Sequence, residues 1–425
     1  MMKNKKVIKM ILFTALVLLI WRLAFHIQIP LIDRNLLGSK VSMFGFLDVF
    51  SGGALSNYSI VALGVSPYIT ASIVIQLLQM DIVPVLKEWA EEGETGKKKL
   101  SQVTRYLALG LAFVQGLTIT VGLAGFYEDP SLMFQLGVEV KAFVYVFLAL
   151  VLTAGTAFVL WLAELISLKG IGNGTSMFIV AGIIASFPTM INDLIAKYIT
   201  VADAGFKEIF SFFIVILFMV VIIVAVVFME AAQRKIPIQY ANRPAAAAFR
   251  GKGDSNIPIK LNSASVIPVI FASTLMSLPV TISNFISSGS TSYWLQQVFG
   301  YTEPIGFVLY IVLIFVFSFF YSFLQMNPEK MAENLQKQNA YIPGVRPGAE
   351  TASYISRVLF KITMVGAIYL SIIASIPLIM NRIFNLPQSV QVGGTSLIIV
   401  VGVAIETAKQ LKTETQEKQY RGFIG

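Results

Sequence analysis

The chain has 425 residues, of which 56% are apolar and 13% charged, with a mean hydropathy of +0.76 and a formal charge of +9. An ordinary globular domain is about 45–50% apolar and about 25% charged, so this composition excludes one. There is no cysteine, which excludes disulfides and thiolate metal sites, and the single histidine, His26, excludes a cluster of imidazole ligands.

Apolar stretches recur along the chain at about 7–25, 60–80, 103–126, 142–167, 175–192, 209–230, 264–286, 304–325, 354–380 and 394–408. A helix rises about 1.5 Å per residue, so about 20 apolar residues cross a hydrocarbon core of about 30 Å. Ten such stretches predict an all-α polytopic membrane protein. The first, MMKNKKVIKMILFTALVLLIWRLAF, has the basic-then-apolar order of a signal peptide. No A-x-A-like cleavage site follows it and nine further stretches do, so it is expected to be the first retained helix.

Lysine and arginine set the orientation. With the N-terminus in the cytoplasm and ten alternating spans, 24 of the 32 basic residues fall on inner segments and six on outer ones. Arg22 and Lys361 lie inside spans. This bias predicts that both termini are cytoplasmic. It also makes the positive charge a property of the inner face, suited to anionic lipid or to an acidic or nucleic-acid partner.

Two inner loops are long and basic, at about 231–262 and 326–353, and both contain Pro and Gly. They read equally as ordinary positive-inside connectors or as a docking surface. The outer segment between the first two spans, SMFGFLDVFSGGALSNY at residues 42–58, is too short to cross a bilayer and too apolar for a free loop. Two readings remain open for it. A half-helix at membrane depth must line a cavity or pack inside protein, whereas an amphipathic helix can lie on the outer interface.

A charge at the middle of a span marks an ion or proton pathway and costs about 2.5–3.5 kcal/mol on insertion scales. Arg22, Glu164, Glu230 and Glu406 all fall near span ends, where snorkelling is expected. No span carries a charge at its centre, which disfavours an ion-coupled transporter and leaves a conduit with an apolar or weakly polar wall. Polar residues such as Ser66, Gln76 and Gln115 read as helix-to-helix glue. The only stretch near a nucleotide-binding pattern, Gly93-Glu94-Thr95-Gly96-Lys97-Lys98, has Glu91 where a phosphate-cradling loop needs Gly, and Lys98 where it needs Ser or Thr. It is read as a solvated charged loop. No catalytic constellation or cofactor motif stands out, so energy must come from a partner or from the membrane potential.

Several segments together resemble the SecY family, whose members form the central subunit of the bacterial general secretion translocon. They are FSGGALSNYSIVALGVSPYITASIVIQLLQ from Phe50 to Gln79, GIGNGTS at Gly170–Ser176, RKIPIQYANR at Arg234–Arg243, VIPVIFAS at Val266–Ser273, YIPGVRPGAET at Tyr341–Thr351, and GGTSLIIVV at Gly393–Val401. The resemblance implies ten transmembrane helices in two inverted-repeat halves, 1–200 and 201–425, around an hourglass pore. It also implies a short re-entrant plug helix at about 44–58, including Phe46, Leu47, Val49, Phe50, Ser51, Gly52 and Gly53. Val65, Ile69, Ile179, Ile270 and Ile399 would form the pore ring. Flexible aliphatic side chains can close around an extended polypeptide while offering small ions no substitute for hydration. Thr175 stands where the family carries a further bulky aliphatic residue, which would make the ring looser or wetter on that side.

A lateral gate into lipid is implied between spans 2 and 3 on one side and 7 and 8 on the other, with Gln115 and Ser273 or Thr274 setting it. Buried hydrogen bonds between membrane helices average about 0.6 kcal/mol, enough to tune opening without locking it. The basic loops become a platform for partners, through Arg234, Lys235, Arg243 and Arg346. The implied partners are the SecA motor ATPase, the ribosome, small membrane subunits of SecE and SecG type, signal peptides and nascent chains, and anionic lipid. The expected function is translocation of unfolded polypeptides across the bacterial plasma membrane, with lateral release of transmembrane segments and no enzymatic activity. An accessory channel of the same family for specialised substrates and a secondary transporter are the alternatives.

Overall fold

The computed structural model describes residues 5–29, 32, 51–79, 82–125, 142–199, 206–240, 255–283, 290–300, 303–384, 386 and 388–421. Helices α1 (Lys5–Phe25), α2 (Ser66–Leu78), α3 (Pro84–Glu91), α4 (Glu94–Gly125), α5 (Ala142–Lys169), α6 (Gly174–Tyr198) and α7 (Phe206–Ala231) lead into a hairpin of β1 (Gln233–Tyr240) and β2 (Ser255–Lys260). There follow α8 (Ile267–Ser283), α9 (Ser290–Phe299), α10 (Pro304–Gln325), α11 (Pro328–Lys337), β3 (Ala340–Tyr341), α12 (Ala349–Phe384) and α13 (Gln388–Arg421). Each apolar stretch overlaps one of these helices, the second of them only from Ser66 onward. Among the described residues seven are long and apolar enough to cross a membrane, while α2 and α8 are shorter, at 13 and 17 residues.

Helix starts follow local chemistry. Asn173 Oδ1 accepts from the Thr175 backbone N–H at 3.1 Å, and Asn327 Oδ1 accepts from the N–H groups of Glu329 and Lys330 at 3.0 and 3.2 Å. Each cap satisfies donors that have no partner within the helix, and Pro328 at the first position of α11 has no N–H to satisfy. Outward faces are apolar: Phe206 and Phe228 of α7 are 85% and 73% exposed. So wide an apolar surface suits lipid and not water.

Lipid is as apolar as a leucine side chain, so helices in a membrane associate through close packing and small residues. Accordingly, Ala112 and Gly116 of α4 lie against Leu148, Ala149 and Leu152 of α5, and a Cβ on Gly116 would stand 3.4 Å from Leu152. On the other side of the molecule α10 packs on both α8 and α12, while α13 packs on α6 and α7.

The structure departs from expectation around the second span. Helix α2 begins at Ser66 and not near 60, and Gly52–Val65, after a helical Ser51, is a chain of turns. Phe46, Leu47, Val49 and Phe50 of the expected plug lie outside the described residues. Ser51, Gly52 and Gly53 lie inside them, and there the backbone turns: Gly52 and Gly53 have φ of +72° and +83°, which glycine adopts without steric cost. Gly155 of α5 lets this segment in, because the Ile60 carbonyl occupies the space where a Cβ would stand. Gly155→Ala is therefore expected to push the segment off α5 and to cost about 1–3 kcal/mol. A lowered thermal unfolding midpoint of the purified protein in detergent would register this.

Candidate functional site

The five residues expected to form a ring come from four helices and converge. Val65 is the residue before α2 and Ile69 lies one turn inside it; Ile179 is on α6, Ile270 on α8 and Ile399 on α13. Val65, Ile179 and Ile399 are 2%, 5% and 2% exposed within one apolar cluster, and Ile69 and Ile270 pack against it. Trp21 and Phe25 of α1, Phe178 of α6 and Val266, just before α8, belong to the same cluster. Thr175 is a single turn from Ile179, about 6 Å along the axis, and its hydroxyl donates to Asn173 Oδ1 at 2.7 Å. It belongs to the start of α6, where its polarity is used by the cap.

The turns between Ser51 and Val65 lie against this cluster and are tied down on several sides. Arg22 Nη1 donates to the Gly52 carbonyl at 3.4 Å, and its guanidinium stands 4.1 Å from the Phe25 ring centroid. Leu55 N–H donates to Ser51 Oγ at 3.3 Å, and Asn57 Nδ2 donates to the Gly53 carbonyl at 2.8 Å. Tyr58 is buried with its hydroxyl 2.6 Å from Thr120 Oγ1 of α4. Thr120 in turn donates to the Gly116 carbonyl at 2.7 Å, so the tyrosine hydroxyl donates to it.

Helices α2 and α8 pack together through Ile73, Val269, Phe271, Ala272 and Met276. Of the expected gate residues, Gln115 is half-buried on α4. Ser273 Oγ donates within its own helix, to the Ile270 carbonyl at 2.9 Å, and Thr274 is buried beside it. Charges near span ends behave differently from one another. Arg105 and Glu164 form a two-pronged pair at 2.6 and 2.7 Å between α4 and α5. Glu406 is exposed. Glu230, expected to snorkel, is instead 4% exposed and accepts from Ser265 Oγ at 2.7 Å. The turn at Asn262–Ser265 supplies its donors, with Asn262 Nδ2 the second at 3.5 Å.

The two long basic loops are joined by a feature that pattern reading missed. Strand β1 is the middle of a three-stranded sheet in the order β2-β1-β3, pairing antiparallel with β2 from Gln233↔Lys260 to Ile238↔Ser255 and with β3 at Gln239↔Tyr341. The available signal was the alternation Ile236-Pro-Ile238 and Ile257-Pro-Ile259, which a period of two turns to one face. Ile236, Ile238 and Ile259 are buried over Leu335, Ile355, Leu359 and Ile362. Lys235 is exposed on the opposite face, Arg234 is exposed at the start of the strand although it shares the face of the isoleucines, and Arg346 is exposed on the neighbouring turn, its carbonyl accepting from Thr351 Oγ1 at 2.8 Å. Arg243 lies outside the described residues. Beside the sheet, the Lys337 ammonium 2.7 Å from Glu333 holds that carboxyl below the usual range, with Lys330 adding to the effect. Among the described residues no group of three or more His, Cys, Asp or Glu stands together as a metal site would.

The SecY family model matches residues 59–408, and a SecY protein translocase subunit of Halalkalibacterium halodurans is 46% identical over 97% of this chain and 96% of its own. The chain belongs to the SecY family. The SecY subunit of Bacillus licheniformis is 44% identical over all of this chain and 98% of its own. Among solved structures, a protein-conducting channel superposes with a TM-score of 0.66 at 18% identity, covering 97% of this chain and 94% of its own. A SecY structure described by a plug domain that stabilises the closed channel gives 0.65 at 20% identity, over 97% and 93%. The Sec61 channel of a canine ribosome complex gives 0.62 at 17%, over 97% and 94%. These structures share the fold of the SecY family, and the chain is a multi-pass membrane protein.

Ile259→Asp would set an unpaired carboxylate under the sheet, at a cost of several kcal/mol. The hairpin is expected to detach from α12, and faster trypsin cleavage at Arg234, Lys235 and Lys260 in limited digestion would report it.

Proposed function

We propose that this chain is the protein-conducting channel of a bacterial plasma-membrane translocase, threading unfolded polypeptide through its waist. The observation that carries this reading is the meeting of Val65, Ile69, Ile179, Ile270 and Ile399, from four helices, in one apolar cluster. A gasket of aliphatic side chains adapts to any extended chain, because rotamer changes are cheap and no side chain demands a hydrogen bond. It excludes hydrated ions, since nothing in it replaces their water. The channel provides passage and no chemistry, so the work comes from a partner.

In this reading residues 1–200 and 201–425 are the two halves, related as an inverted repeat with the pathway at their interface. The segment 44–58 is the plug, with Ser51, Gly52 and Gly53 as the hinge that the turns after it anchor. The seam between α2 and α8 belongs to the lateral gate, where signal peptides and transmembrane segments partition into lipid. Gln115, Ser273 and Thr274 tune that partition by offering polar surface to the opened seam. SecE- and SecG-type subunits would cover part of the apolar outer surface. The sheet-linked loops are the platform on which the SecA motor and the ribosome alternate, with Arg234, Lys235, Arg243 and Arg346 as contacts. Ribosomal RNA is drawn to them electrostatically and released by salt, and anionic lipid is drawn to the same cytoplasmic face, which holds both termini.

Two substitutions test the gasket and one tests the platform. Ile399→Asn and Ile69→Asn are expected to raise ion conductance in planar bilayers; conductance equal to wild type in both would sink the ring. Arg346→Glu is expected to impair SecA-driven export in reconstituted vesicles more than it impairs assembly with the small subunits. Normal export by that variant would remove Arg346 from the platform.

A further inference from the structure

We infer that Glu230 is a positioning residue that couples the basic hairpin to the apolar ring, an inference that rests on the docking and ring roles proposed above. Glu230 stands in the last turn of α7, directly before β1. Its carboxylate accepts from Ser265 Oγ at 2.7 Å and from Asn262 Nδ2 at 3.5 Å. Asn262 Nδ2 also donates to the Ser265 carbonyl at 3.0 Å, and Leu261 N–H donates to the Ala232 carbonyl at 2.9 Å. The two ends of the hairpin are thus closed on each other beside one buried acid. From the far side, Lys409 Nζ of α13 donates to the Glu230 carbonyl at 3.2 Å.

The turn that Glu230 grips is the one that starts α8. Ser265 has a φ of +53°, a conformation unfavourable for a residue with a side chain, and it persists only where neighbours enforce it. The next residue, Val266, is buried in the ring cluster, and its carbonyl accepts from the N–H groups of Val269 and Ile270 at 3.1 and 3.3 Å. Two glycines hold the turn from behind. A Cβ on Gly366 of α12 would stand 2.8 Å from the Leu261 carbonyl, and one on Gly402 of α13 would collide with the Val266 side chain. Force applied to Arg234 or Lys235 therefore reaches Ile270 through two short links, Ala232 to Leu261 and Glu230 to Ser265. A buried carboxylate bound by hydroxyl and amide donors strongly disfavours arrangements that leave it unpaired, so the turn has few alternatives. When a partner pushes the hairpin, α8 must follow.

The test uses the complex with its small subunits in liposomes, driven by purified SecA, ATP and a preprotein. Wild type is compared with Ser265→Ala, Glu230→Gln and Arg234→Glu for motor affinity, transport and ion conductance. Ser265→Ala leaves the carboxylate in place and guards against a folding failure in Glu230→Gln. Both are expected to keep motor affinity within about twofold while lowering transport per bound motor about fivefold or more, with raised resting conductance. Wild-type transport and conductance in both would overturn the coupling, and so would motor affinity that falls in step with transport. Normal motor affinity in Arg234→Glu would overturn the docking role and the coupling with it, and that failure is read from a different variant and a different measurement.

Discussion

Inside a membrane protein every backbone N–H and C=O must find a partner in protein, because lipid offers none. Helices meet that demand by themselves, but the turns from Ser51 to Val65 do not, and the organisation of this molecule follows from how they meet it. Tyr58 N–H donates to the Leu55 carbonyl, Ser59 to Ala54, Ala62 to Ser59 and Gly64 to Val61, while Ile60 N–H reaches across to the Ile27 carbonyl after α1. The stretch is walled by protein on several sides: by Trp21 and Gly182 at Gly52, by Gly155 at Ile60, and by Thr120 at Tyr58. Only within such walls can a non-helical segment deliver Val65 and Ile69 to the centre of the molecule. The apolar cluster around Val65 can form because the turns before it are satisfied by hydrogen bonds to themselves, to α1 and to the residues just after it.

Two surfaces with opposite chemistry result. The five residues that meet at the proposed waist are all aliphatic, which is what indifference to sequence and refusal of ions both require in that role. The proposed platform is a β-sheet whose buried isoleucines fix its inner face, with Lys235 on the outer face and Arg234 exposed at the strand's start. Joining the two loops by pairing β1 with β3 turns two tethers into one body. A body can transmit a push; a pair of loose tethers cannot. Glu230 lies where that body meets the helices, and its burial is legible only once the turn at Asn262–Val266 is folded over it.

The amino-acid sequence alone determined the solvent of this protein and gave an expectation of its side. Ten apolar stretches, a charge of +9 and its skew to alternate loops follow from transfer energies that each residue carries independently of its neighbours. Sequence motifs also carried the resemblance to the family and, through it, the five residues expected to form a ring. Tertiary structure decided the rest. That Val65, Ile69, Ile179, Ile270 and Ile399 meet depends on how four helices cross, which no one-dimensional pattern contains. The second span starts at Ser66 because Gly155 admits the Ile60 carbonyl, a contact between residues far apart in the chain. Alternation in Ile236-Pro-Ile238 was visible, yet a two-residue period becomes a sheet only when partner strands arrive, β2 from the same loop and β3 from the other one. Glu230 reads as a surface acid by position and is buried by its partners, since the cost of burying a charge is set by the donors brought to it in space.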